Sequence, residues 1–186
     1  MRLGTEGGVY NCGVEEQERG AETLFDYSFT VIFLLDAENS GKLMMLKRAG
    51  WKKIAPNMYT GVGGTIEEET VMENAHRELQ EETGFTGVEL YEFARCIIFE
   101  KSTAVYYFWG IYPGGDLPEC DEGELEWADF DSLGGMEIIP TTKMVLEEWG
   151  RRGFAVDRPW TLIARPLNNP NVYMARELVA VIEGLV

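Results

Sequence analysis

The chain has 186 residues, a mass of 21.0 kDa and a formal net charge of −16, with 45% hydrophobic and 26% charged residues. This suits one globular domain with a proper core, and the acidic balance excludes the basic footprint that a nucleic-acid polymer requires of its partner. Cys12, Cys96 and Cys120 are too few and scattered for a disulfide framework or thiolate zinc site, no apolar run reaches membrane-spanning length, and an N-terminus without an apolar signal core favours a cytoplasmic setting.

Residues 1–24 read as a polar, glycine-rich arm. From Phe25 the run DYSFTVIFLLD is β-branched and aromatic, as a buried strand requires. ENSGK at Glu38 to Lys42 supplies a turn and KLMMLKR returns as a second strand, predicting a hairpin. After a loop containing Pro56, helical spacing sets in from about Thr70 to Thr83 and stops at Gly84, a natural left-handed C-terminal residue. ELYEFARCIIFE and TAVYYFWGIY follow as strands, with Tyr106 to Trp109 expected in the sheet core. PGGDLPECDEGE is a loop, ELEWADFDSL a short strand leading into a turn, and TTKMVLEEWGRR an amphipathic helix. Residues 153–186 form an extension with Pro159, Pro166 and Pro170, closing on an expected terminal helix in NVYMARELVAVIEGL. The order β-β-α-β-β-β-α predicts an α/β domain over residues 25–152, a mixed sheet covered by helices.

The segment GVGGTIEEETVMENAHRELQEETGF, Gly61 to Phe85, holds seven glutamates, one arginine and one histidine. At about 100° per residue, Glu78, Glu81 and Glu82 share an arc of about 100° on consecutive turns. Val71, Met72, Ala75 and Leu79 take the adjoining arc and offer a face to the sheet. Like charges so placed repel and raise one another's pKa. Arg77 offsets part of this and a divalent cation would offset the rest; oxygen-only ligands suit Mg2+ or Mn2+ better than zinc.

The spacing of Gly63, Glu69, Arg77-Glu78-Leu79, Glu81-Glu82 and Gly84-Phe85 resembles the Nudix box at every defined position. The resemblance implies a Nudix-type α/β/α sandwich with a mixed β-sheet and hydrolysis of a nucleoside diphosphate linked to a further group. Glu78, Glu81 and Glu82 would ligate metal, with Glu78 a candidate general base. Gly63 and Gly64 would let the backbone approach metal and phosphates closely, while Glu69 and Arg77 would position loop and helix. Glu122, in ECDEGELEW, resembles the acid outside the box that completes the metal site or serves as base in oxidised-purine nucleoside triphosphate diphosphatases, the branch closest in pattern; a solvated turn acid is the alternative.

Lys47, Arg48, Lys52 and Lys53 precede the glycine loop; Lys47 is the candidate for substrate phosphates, with a charged sheet edge as the alternative. Tyr59 lies where related triphosphatases place an aromatic for the base, and packing would explain it equally. His76 lies toward the face opposite Glu81 and receives no catalytic part. Two departures bear on substrate: Thr141-Thr142 after Pro140 offers no carboxylate to read a base, and no proline stands near Glu100, where many ADP-ribose hydrolases carry one.

The expected partner is a small nucleotide or other diphosphate, with no membrane and no nucleic-acid polymer, the protein being a monomer or homodimer. Hydrolysis of ADP-ribose or a dinucleoside polyphosphate stays open, as does a non-catalytic nucleotide-binding module on the same scaffold. A GxxxxGK[ST] loop and a Gly-x-Ser-x-Gly elbow are both missing from the sequence.

Overall fold

The computed structural model describes residues 25–38, 41–154, 158–166 and 173–177; the N-terminal arm lies outside them. β1 spans Tyr27–Leu35 and β2 Lys42–Arg48. Ile32, Phe33 and Leu34 are all fully buried, so β1 needs cover on both faces and belongs inside the sheet. It lies parallel to β5 (Thr103–Ile111) from Tyr27↔Thr103 to Leu35↔Ile111. The expected β1–β2 hairpin is met only at its closed end, where Leu35 pairs with Leu43. Beyond that β2 leaves β1 and pairs antiparallel with β6 (Gly123–Asp129) along its whole length.

One segment stitches the opening between β1 and β2. Tyr59–Thr60, as β3, pairs with Lys47 and Leu46 of β2, and Val62 and Thr65 then bridge to Ile32 and Phe29 of β1. Gly61, Gly63 and Gly64 sit on this stitch, at the entrance to helix α1.

α1 (Val71–Thr83) begins at Thr70, whose hydroxyl accepts the Glu73 N–H while the Glu73 carboxylate accepts the Thr70 N–H at 2.9 Å. It ends at Gly84, with φ of 75°, whose N–H donates to the Gln80 carbonyl. Ala75 and Leu79 bury against Ile32, Leu34, Met44, Leu46, Tyr106 and Phe108 on one face of the sheet. Met72, expected on that packing arc, is exposed instead at the first turn of the helix, while Asn74 takes a fully buried place.

The opposite face is covered by α2 (Pro140–Arg151), with Pro140 at its first turn. Trp149 is buried there, stacked on Phe93 with ring centres 4.2 Å apart. The result is a helix–sheet–helix sandwich. β4 (Tyr91–Ile98) pairs antiparallel with β5, and β7 (Trp160–Pro166) lies parallel to β4 through Ala94↔Trp160 to Ile97↔Ile163.

The terminal helix expected over residues 171–185 is corrected over Tyr173–Glu177. That stretch is a strand, β8, antiparallel to β7, so the extension continues the sheet; the rest of the expected helix lies outside the described residues. A local helical pattern there yields to the hydrogen-bonding edge that β7 offers.

Candidate active site

The stitch and α1 bring the glycines and glutamates face to face. Gly63 has φ of 145°, and a Cβ there would lie 2.8 Å from the Thr30 carbonyl carbon, so both conformation and space demand glycine. Its N–H donates to Glu82 Oε2 at 3.2 Å. At Gly64 a Cβ would lie 2.5 Å from Glu78 Cδ: the carboxylate packs on bare backbone.

Arg77 gathers three glutamates. Its guanidinium lies 2.8 Å from Glu69 Oε1, 2.8 Å from Glu78 Oε1 and 2.8 Å from Glu81 Oε2. The three expected metal ligands are therefore unequal in setting. The Glu78 side chain is 12% exposed and faces the glycines, whereas Glu81 is 59% exposed and held outward by Arg77.

Glu122 joins Glu78 and Glu82 from the turn before β6. The turn is closed by the Gly123 N–H donating to the Cys120 carbonyl, and Gly123 pairs with Arg48 of β2. Burial pushes the Glu82 carboxyl up to about 8, with Glu122 and Glu78 adding to the rise and the Gly63 N–H and Lys52 opposing it. Burial also raises Glu78 against the pull of Arg77, with Glu81 and Glu122 adding to it. Three carboxylates thus act on one another at a half-buried spot, an oxygen-only set suited to a hard divalent cation. Among the described residues no three Asp, Glu, His or Cys side chains stand close enough to hold an ion as they are.

Glu69 lies behind this centre. Asn74 donates to Glu69 Oε1 at 2.7 Å and Arg77 Nη2 at 2.8 Å, which together bring the Glu69 carboxyl down to about 2. Asn74 also donates to the Thr65 carbonyl at 2.8 Å and accepts from the Thr30 hydroxyl at 2.5 Å. It ties β1, the glycine loop and α1 at one buried point. Sequence reasoning missed Asn74, although its signal was present: one polar residue at helical spacing among Val71, Ala75 and Leu79.

Lys47 and Tyr59 are cross-strand neighbours, with Lys47 Nζ 5.8 Å from the Tyr59 ring centre. Tyr59 is half-buried and its hydroxyl donates to Glu126, which pushes it up to about 12. A cleft of about 590 Å³ opens beside Lys47, lined also by Arg48, Trp51, Asn57, Asp121 and Glu124. His76 is exposed. Glu67 and Glu68 are solvated, and Glu73 serves the helix cap.

The glycine stitch, the carboxylate helix and the acid of the turn before β6 come together on a helix–sheet–helix scaffold. A NUDIX domain family model matches residues 25–147, and the chain belongs to the Nudix family as a Nudix pyrophosphohydrolase. Solved structures share the fold at low identity. A mutator MutT protein from Bacillus halodurans is 20% identical, covering 75% of this chain and 89% of its own, with a TM-score of 0.55. A NUDIX hydrolase from Nitrosomonas europaea is 19% identical over 75% of this chain and 78% of its own, with a TM-score of 0.61. The NUDIX domain of Shewanella oneidensis NrtR, solved with ADP ribose, is 12% identical over 69% and 88%, with a TM-score of 0.55.

Proposed function

We infer that the protein is a Mg2+-dependent hydrolase that converts a nucleoside triphosphate, such as an oxidised purine nucleotide, to the monophosphate and pyrophosphate. The observation that carries this reading is the seating of Glu82 and Glu78 against the bare backbone of Gly63 and Gly64, with Glu122 near enough to raise both carboxyls. A divalent cation held there, with Glu81 turned inward, would neutralise phosphate charge and acidify a bound water. The residues of the chain do the remaining work. A glutamate, Glu78 or Glu122, accepts the proton of the attacking water. The water oxygen bonds to phosphorus, the bridging P–O bond breaks, and pyrophosphate leaves with the electron pair. Lys47 meets the phosphates at the cleft, and the Lys47–Tyr59 pair lines the approach of the base.

Specificity for an oxidised purine does not come from a carboxylate after Pro140, since Thr141 and Thr142 are buried and Thr142 lies 3.4 Å from the Tyr107 hydroxyl. The test is a substrate panel with Mg2+: the four dNTPs, oxidised dGTP, ADP-ribose, a dinucleoside polyphosphate and NADH, products resolved by chromatography. Monophosphate plus pyrophosphate is the expected result; turnover of ADP-ribose or a dinucleoside polyphosphate alone would move the assignment within the family. Tight binding of one compound without turnover would leave a nucleotide-binding module.

A further inference from the structure

Lys52 sits in the loop after β2, outside the box. Its ammonium is ion-paired with the Glu122 carboxylate, the two side chains 17% and 33% exposed. The same Nζ lies 4.7 Å from the centre of the exposed Trp51 ring. Backbone bonds hold the pair together: the Ala49 N–H donates to the Glu122 carbonyl at 2.9 Å, and the Lys52 N–H to the Ala49 carbonyl at 3.1 Å. These bonds fix the backbone on both sides of the pair, so the ammonium can leave the acid only by a swing of its own side chain. Glu122 acts in turn on Glu78 and Glu82, and Lys52 on Glu82. One carboxylate thus faces two claims, an ammonium on one side and the centre formed by the other glutamates on the other.

We propose that Lys52 is an exchangeable counter-ion: it neutralises Glu122 in the metal-free enzyme, yields that carboxylate to the divalent cation, and rests on the Trp51 ring while the cation is bound. The proposal rests on the reading of Glu78, Glu82 and Glu122 as the metal-binding set. A carboxylate engaged with an ammonium must give up that contact before it can ligate, so Lys52 weakens cation binding in the free enzyme. A lysine suits the exchange, being a compact charge on a flexible stem, and the aromatic face it already lies over holds it once the acid is given up. The charge so released stays beside Trp51, which lines the cleft.

Mn2+ binding to the metal-free protein, followed by calorimetry, tests this without any turnover. Lys52→Met should bind Mn2+ roughly two- to fivefold more tightly than the wild type, and Lys52→Arg should stay near the wild type. In a Glu122→Gln background the lysine substitution should change nothing. Tryptophan emission should respond to Mg2+ in the wild type and not in Trp51→Phe; an equal response in that variant overturns the part given to the ring. Unchanged or weaker Mn2+ affinity in Lys52→Met, with the wild type binding normally, overturns the exchange alone. A wild type that binds no Mn2+ overturns the metal reading and the exchange with it.

Discussion

The Gly63 N–H points at the Glu82 carboxylate, 3.2 Å away, while the place a Cβ would take on the same glycine is filled by the Thr30 carbonyl. The neighbouring glycine is pressed instead against the end of a side chain, Glu78. The two positions therefore fail differently when a methyl group is added. Gly63→Ala collides with backbone at a φ that L-residues avoid and should cost at least about 1–3 kcal/mol of stability. Gly64→Ala meets a side chain that can swing away, so the fold should hold while turnover falls. Melting temperature and kcat measured on both variants separate the two effects.

Glu82 is a half-buried carboxylate among like charges. Glu82→Gln should leave the metal-free protein as stable or more stable, abolish turnover, and remove the rise in melting temperature that Mg2+ gives the wild type. The corresponding stabilisation would be about 2.7 kcal/mol with the ion at a hundred times its Kd. A Glu82→Gln protein still stabilised by Mg2+ would sink the ligand assignment.

Glu81→Gln tests whether the outward rotamer is the working one. If Glu81 turns from Arg77 to join the ion, the variant stays folded and loses activity and Mn2+ binding. Unchanged turnover would assign Glu81 to Arg77 alone.

The acid limb of stability should carry the signature of Glu69. Its carboxyl is lowered to about 2 by Asn74 and then Arg77, so its contribution is fully present above the ordinary carboxylate range and drains away as pH falls from about 4.5 toward 2. Partial exposure limits this to roughly 1 kcal/mol. Denaturant unfolding from pH 6 to 2.5 should show a shallower loss in Glu69→Gln than in the wild type. Asn74→Ala strips partners from Thr30, Thr65 and Glu69 at once and should cost about 2–3 kcal/mol at neutral pH.

Much of this arrangement was legible in the sequence, and the reason is local. The second strand is KLMMLKR itself, Lys42–Arg48, and the long helix ends at Gly84 as its left-handed geometry requires. Tyr106, Tyr107 and Phe108 are buried as their run implied. What escaped depends on partners distant in sequence. Nothing around Leu35 says that β1 will prefer β5, seventy-six residues downstream in register, to the strand that follows it. Tyr173–Glu177 reads as a helix until β7 offers it an edge. The same holds at the site: Glu78, Gly63 and Arg77 follow from spacing, whereas the grip of Lys52 on Glu122 exists only once β6 is laid on β2.

The parallel seating of β7 on β4 gives the chain a practical boundary. The family match ends at residue 147, yet the ladder from Ala94 to Ile97 is completed only by Trp160 to Ile163. Cys96, in the middle of that ladder, is buried, and burial pushes its thiol up to about 12. A protein shortened to end at Arg152 would bare one flank of β4 as a sticky template and lay that thiol open to alkylating reagents. Iodoacetamide should then label Cys96 in the shortened protein and not in the full-length one, read at that residue by peptide mass spectrometry because Cys120 is half-exposed in both. A label at that one cysteine would show that the sheet runs on past the family match.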